Sequence, residues 1–290
     1  MSRPVLKGFQ TEAVESGLEV FSYLHRQLTA ATDAVSRSTA ISHNGFLLIE
    51  APTGAGKTLI AGTLIERFAP IGRVLWFWFA PFKGVVDQAA NYLRDNCPEV
   101  QVRDLKEDRK PEQCRAGDVF VTTWQAVASR SREDRRIHQD SDFNWSLERF
   151  VAALREAGLS IGVVVDEAHH GFHHQTQAAA VFRDILKPAF TILVTATPDD
   201  ADIATFKKEM GVAEIQTSTV SRQHAVDAGL IKRGVKCVAY MAEPGQESLV
   251  DFEQAALKDG ADVHRQIKET LGNLGVSLSP LMLVQVDSSD

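Results

Sequence analysis

The sequence predicts an α/β domain: a mostly parallel sheet with helices on both faces and a phosphate-binding turn behind its first strand. Apolar runs of strand length alternate with helical patterns from Phe46 to Thr195, and strands apolar on both sides belong in a parallel sheet covered on both faces. The run Ala51-Pro52-Thr53-Gly54-Ala55-Gly56-Lys57-Thr58 stands between one such strand and a helix, which is the setting of a phosphate cradle. An acidic pair, in Asp166-Glu167-Ala168-His169, follows another apolar strand.

The elements follow in order. Between Gly8 and about Ser36, Val14, Leu18, Phe21, Leu24 and Leu28 recur at three- and four-residue spacing, so the segment is predicted mostly helical. Phe46–Glu50 is a predicted strand, Lys57–Phe68 a helix, Arg73–Ala80 a strand and Gly84–Asp95 a helix. Val100–Asp104 and Val119–Thr122 are predicted strands, Leu147–Ala157 a helix, Ile161–Asp166 a strand, Gln177–Leu186 a helix and Phe190–Thr195 a strand. The polar, aperiodic stretch Arg130–Asn144 is predicted to be an exposed loop. Short helices are expected at Ile203–Met210 and Arg222–Ala228, a strand at Val235–Ala242, a long helix from Asp251 to about Asn273 and a last buried strand at Leu281–Val286. Right-handed crossovers place the loops after parallel strands along one edge of the sheet, so the motifs are expected to converge there.

Composition bounds the class. The chain has 290 residues, 44% hydrophobic and 24% charged, an ordinary globular mix with enough apolar residue for a normal core. No apolar run approaches the ~20 residues that cross a bilayer, and Met1-Ser2-Arg3-Pro4 is not followed by a signal-peptide core. Three scattered cysteines, Cys97, Cys114 and Cys237, lack metal-type spacing and fit a reducing cytoplasm. A net charge of −7 argues against a dedicated nucleic-acid arm. A motor that grips a strand through backbone amides and hydroxyls needs only a local basic surface. Arg130, Arg132, Arg135 and Arg136, and Lys232, Arg233 and Lys236, form basic clusters of that size, or plain solvated faces.

The chemistry expected of the motifs is specific. Thr53, Gly54, Ala55 and Gly56 would wrap backbone N–H groups around phosphate oxygens, aided by the helix N-terminus. Lys57 would reach the β- and γ-phosphates, and the Thr58 hydroxyl would hold Mg²⁺. An acid at a strand end beside such a turn, Asp166, suits the same cation, and Glu167 suits a general base on the attacking water. ATP and Mg²⁺ are therefore the expected cofactors. His169, His170, His173 and His174 lack a His-Glu-x-x-His arrangement and a nearby cysteine, so a histidine-rich polar loop is preferred over a transition-metal site.

Asp166-Glu167-Ala168-His169 resembles motif II of DEAH-type superfamily 2 helicases and translocases. Ala51, where the general phosphate-loop pattern has glycine, matches the Ala-x-x-Gly-x-Gly-Lys-Thr form seen in those proteins. Gly8-Phe9-Gln10 resembles their upstream glutamine motif, Phe79-Ala80-Pro81 with Gln88 motif Ia, Val121-Thr122-Thr123-Trp124-Gln125 motif Ib, and Thr195-Ala196-Thr197-Pro198 motif III. The wording is most similar to the type III restriction enzyme "res" family, over about residues 7–200. The resemblance implies a RecA-like P-loop NTPase domain. Gln10 would read the adenine edge, and His169 would bridge the γ-phosphate site to Thr195 and Thr197. Pro81, Phe82, Thr123, Trp124 and Gln125 would lie near a nucleic-acid backbone, Trp124 being equally readable as a core aromatic. DNA is favoured over RNA by the resemblance alone.

The expected organisation is an N-terminal helical segment over 1–40, a RecA-like ATP-binding domain over 41–230, and over 231–290 a linker with the start of a second RecA-like domain. No Gln-x-x-Gly-Arg-x-x-Arg-type motif follows residue 200, so the arginine finger is expected from a missing second domain or a partner subunit. On that expectation the chain is a fragment of a longer motor that binds ATP–Mg²⁺ but hydrolyses it slowly. The alternative is an ATP-dependent module that binds nucleic acid or a partner without unwinding. A kinase or transporter ATPase is disfavoured by the Asp-Glu-Ala-His and Thr-Ala-Thr sequences.

Overall fold

The structure, a computed structural model, describes residues 4–128, 137–140, 145–167, 176–233, 252–277 and 279–282. Helices α1 (Gly8–Ala30) and α2 (Ala34–Asn44) precede β1 (Phe46–Glu50), α3 (Lys57–Gly72), β2 (Val74–Ala80), α4 (Lys83–Asn96), β3 (Val102–Arg103) and β4 (Val119–Thr123). Then come α5 (Trp124–Ala128), α6 (Leu147–Glu156), β5 (Ser160–Asp166), α7 (Thr176–Ala180) continuing as a wider π turn over Val181–Leu186, β6 (Phe190–Thr195), α8 (Asp200–Met210), β7 (Gln216–Thr219) and α9 (Arg222–Asp227). Among the described residues the strands form one seven-stranded sheet, in the order β3-β4-β2-β5-β6-β1-β7, and every pairing is parallel. This is the α/β class, a parallel sheet carrying helices, that the sequence predicts.

Strand β2 is buried at all seven positions, yet its side chains still alternate between two cores. Trp76 and Trp78 face α1, α3 and α4, whereas Leu75, Phe77 and Phe79 face the side of α6. On the first face an aromatic cluster ties helices to sheet: Phe21 of α1, Phe68 of α3 and Phe190 of β6 lie with ring centroids 5.1–5.6 Å apart. Close aromatic packing of this kind adds to the stabilisation from buried area.

The chain departs from the sequence expectation at a few places. The first helical segment is broken at Ala31–Asp33, because the Asp33 carboxylate accepts from the Ser36 N–H at 2.8 Å and caps a second helix. Strand β7 carries only polar residues, Gln216-Thr217-Ser218-Thr219, and joins the sheet as an edge beside β1. Within Arg130–Asn144, Ile137 is buried at 1% exposure, and His138 bonds both Glu148 and the Val127 carbonyl, so that point is anchored rather than exposed. The remainder of that stretch, 130–136 and 141–144, lies outside the described residues, as does the strand expected at Val235–Ala242. Of the last expected strand, Leu281 and Met282 are described and are not in a strand, and 283–286 lie outside.

The chain divides into two compact units at Arg233/Gly234. In the second, the long helix α10 (Phe252–Asn273) carries His264, whose Nε2 lies 2.9 Å from the Pro280 carbonyl. Among the described residues no helix is long and apolar enough to cross a membrane.

Gly162 on β5 pairs with Trp76 on β2, and a Cβ there would lie 2.4–2.7 Å from the indole ring. Gly162→Ala is expected to destabilise the fold by on the order of 1–3 kcal/mol through overpacking, measured by urea unfolding; an unshifted midpoint would contradict this close contact.

Candidate active site

The parallel register brings the motif loops to one edge. Glu50 pairs with Thr195 and with Thr219, Asp166 with Val194, and Ala80 with Thr123. The turn after β1 is tied to its neighbour at once, since the Ala51 N–H donates to the Thr195 carbonyl at 3.1 Å. The turn then closes with Ala55 N–H on the Pro52 carbonyl at 3.0 Å. Gly54 and Gly56 both take φ +86°, a left-handed conformation that disfavours a side chain. Helix α3 starts at Lys57, so its first N–H groups, which have no intrahelical acceptor, face the turn.

Lys57 is nearly buried at 9% exposure, with Nζ 3.9 Å from Glu167 Oε1. Glu167 itself sits at φ +51°, a conformation costly for a non-glycine residue. Its N–H donates to Asp166 Oδ1 at 3.0 Å, which fixes the turn and both carboxylates together. The indole N–H of Trp78 donates to the other oxygen, Asp166 Oδ2, at 3.4 Å. Burial, followed by the charge of Glu167, pushes the Asp166 carboxyl up to about 6, against the smaller pull of Trp78, the Glu167 N–H and Lys57. A half-buried acid beside a second acid and a half-buried Thr58 hydroxyl at the start of α3 is a donor set that fits a hard divalent cation with oxygen ligands. The left-handed glycines, Lys57 and the helix start fit a polyphosphate.

Gln10 is buried at 3% exposure. Its Oε1 accepts from the Lys7 N–H at 2.9 Å, and its Nε2 donates to the Ala55 carbonyl at 2.8 Å, so it braces the phosphate turn. A Cβ on Gly56 would sit 2.5 Å from that Nε2, a second reason for glycine there. Thr53 and Gly54 are exposed on the turn. Thr195 is buried, and its Oγ1 accepts from the Thr197 N–H at 3.2 Å, while Thr197 is exposed. Pro81 is half-buried, Phe82 is 63% exposed, and Gln125 is exposed beyond β4. The Thr123 hydroxyl caps α5 by accepting from the Ala126 N–H at 3.2 Å.

Of the two readings open for Trp124, its surroundings fit the core aromatic. It is 5% exposed and stacked on Phe79 with centroids 3.6 Å apart, so its ring belongs to the core. The place for it was decided by Phe79, which turns to the same face of the sheet. His169, with His170, His173 and His174, lies outside the described residues. Residues the sequence reading passed over also reach the site. Trp78 touches Asp166, Ile231 stands 3.0 Å from where a Gly54 Cβ would lie, and the Thr219 hydroxyl donates to Glu50 Oε2 at 3.2 Å. Trp78 and Ile231 carry only an apolar signal in the sequence.

A family model described as type III restriction enzyme, res subunit, matches residues 5–200. Comparison with curated proteins gives no match. Among solved structures, the chain is similar to the Hef helicase domain of Pyrococcus furiosus, at 19% identity over 69% of this chain and 41% of that one, TM-score 0.40. It is similar to the UvsW helicase from bacteriophage T4, at 15% identity over 74% of this chain and 61% of that one, TM-score 0.45. It is also similar to the Sulfolobus solfataricus SWI2/SNF2 ATPase core in complex with dsDNA, at 16% identity over 69% and 34%, TM-score 0.41. The chain spans less than two thirds of each of these, at 41%, 61% and 34% of their lengths.

The folded protein keeps a proton on Asp166 up to about pH 6, whereas the unfolded chain releases it near the ordinary value of 3.8. Between those values the folded state binds more protons, so stability falls as pH rises through the window. Asp166→Asn is therefore expected to stabilise the ligand-free protein by on the order of 1–3 kcal/mol at pH 8. The gain should vanish below pH 4; thermal melts at both pH values check it, and an equal gain at both would contradict the strained acid.

Proposed function

The chain belongs to the type III restriction enzyme res-subunit family, and from that premise we propose that residues 4–233 are the ATP-binding motor domain of a superfamily 2 translocase acting on DNA. The observation that carries this reading is the meeting of Lys57 and Glu167 at 3.9 Å, beside Asp166, on the carboxyl edge of a parallel sheet.

Each residue has a role that its position supports. The N–H groups at the start of α3 and the backbone of Gly54–Gly56 hold the phosphates, and Lys57 neutralises charge on the terminal one. Thr58 and Asp166 hold Mg²⁺, which supplies charge neutralisation on phosphate oxygens. Glu167 accepts a proton from the attacking water; its 28% exposure leaves it open to solvent on one side. Before that, Lys57 holds the carboxylate from 3.9 Å. Gln10 holds the phosphate turn through Nε2 on the Ala55 carbonyl and Oε1 on the Lys7 N–H, and an adenine contact is proposed for the same amide. Pro81, Phe82, Gln125 and Thr197 are the exposed or half-exposed groups of the same edge, and they are proposed to face the strand. Thr195, bonded to the phosphate turn through Ala51 and to Thr197, couples the two. An arginine from a second RecA-like domain or partner subunit would add about 10³–10⁵ in rate, so the chain by itself is proposed to turn over slowly.

The test is ATP–Mg²⁺ binding together with ATP hydrolysis, with and without single- and double-stranded DNA. Lys57→Ala should abolish binding. Glu167→Gln should keep binding and lower turnover by about 10²–10⁴-fold. Undiminished hydrolysis by Glu167→Gln, in this chain or in one carrying a second domain, would remove the general-base role, and unaltered nucleotide affinity in Lys57→Ala would remove the phosphate cradle.

A further inference from the structure

We propose that Trp78 is a positioning residue for the cation site, its indole N–H fixing one oxygen of Asp166 so that the carboxylate presents a preset face to a divalent ion. The inference rests on the reading above that Asp166 holds Mg²⁺.

The geometry is particular to this side chain. Trp78 lies in the centre of β2, is fully buried, and packs in the core shared by α1, α3 and α4. For packing alone, any large apolar residue would serve; the one polar atom an indole adds is Nε1. That atom donates to Asp166 Oδ2 at 3.4 Å, while Asp166 Oδ1 accepts from the Glu167 N–H at 3.0 Å. Both oxygens of the carboxylate are thus held, one from beneath by the core and one by the turn itself. Rotation about the carboxylate axis is removed before any ligand arrives, and each oxygen retains acceptor capacity for a cation. The register explains how Trp78 arrives there. It pairs with Val164 on β5, two residues before Asp166 and on the same face of the sheet. Trp76, also on that face, leaves its own Nε1 without a partner among the described residues, so contact with a carboxylate is not a general property of a tryptophan in this core. Groups that orient a metal-binding carboxylate from behind typically contribute 10–100-fold in metal affinity.

The experiment titrates Mg²⁺ against binding of a fluorescent, non-hydrolysable ATP analogue to the wild-type chain and to Trp78→Phe, with urea unfolding of both. The expected result is a Mg²⁺ requirement raised about 10–100-fold in Trp78→Phe, with nucleotide affinity in EDTA unchanged. A folded Trp78→Phe protein with wild-type Mg²⁺ dependence overturns the proposal. So does a loss of affinity that is equal with and without Mg²⁺, since that is what a merely structural role gives. Should Trp78→Phe fail to fold, the benzothienylalanine isostere at position 78 keeps the ring system and removes only the N–H; the same shift is expected, and its absence is decisive. If the wild-type chain binds the analogue but shows no Mg²⁺ dependence, the cation site itself falls and the inference with it. If it binds no analogue at all, the functional reading falls.

Discussion

The parallel register of β1, β6 and β5 is the constraint on which the rest of the site depends. Glu50 stands opposite Thr195, and Asp166 opposite Val194, so three separate chain segments end at the same height. A slip of one residue would turn every side chain of a strand to the other face. Here that would bury Asp166 in the wrong core and carry Lys57 away from Glu167. The slip is prevented by the packing of both faces: Trp76 lies over Gly162, and Phe190 sits among Phe21 and Phe68. The bond from Ala51 N–H to the Thr195 carbonyl then extends the same register one step into the phosphate turn.

The edge that results is poor for stability and suited to binding. Two half-buried acids are adjacent, and the second is held in a left-handed backbone conformation. Natural folds keep such arrangements where a ligand relieves them. Lys57 relieves part of the charge from 3.9 Å, a distance at which attraction persists without a tight bond. Its ammonium therefore remains within reach of an arriving anion, and Asp166 remains within reach of an arriving cation. The remaining parts of the site are fixed more firmly. Gln10 locks the turn to the start of α1, and Thr195 locks it to β6.

Much of the fold was legible because its signal is local or periodic. Strands β1 and β6 have the predicted bounds, Phe46–Glu50 and Phe190–Thr195, since each is a short apolar run closed by a polar residue. Helix α3 overruns its predicted end by a turn, from Phe68 to Gly72, although Pro70 lies inside that last turn. Strand β7 was not legible: Gln216-Thr217-Ser218-Thr219 has no apolar pattern, and it becomes a strand because β1 offers an open edge to pair with. The break between α1 and α2 turns on a single carboxylate, Asp33, whose capping bond outweighs continuation of the helix. Ile137 was hidden by its charged neighbours, as burial depends on what lies across the fold and not on the residues beside it.

By itself the sequence located the candidate groups: a glycine turn ending in Lys57-Thr58, an acid pair at Asp166-Glu167, and the strand–loop–helix setting of each. These are short-range facts, because backbone conformation at a glycine and the start of a helix depend on a few adjacent residues. The tertiary structure alone decided which side chains from distant segments stand behind that chemistry. Trp124 and Trp78 carry the same side chain, yet one stacks on Phe79 in the core and the other aims its N–H at Asp166. The difference lies in the register of β2 against β4 and β5, and hydrogen-bonded pairing between strands dozens of residues apart leaves no mark in the local sequence.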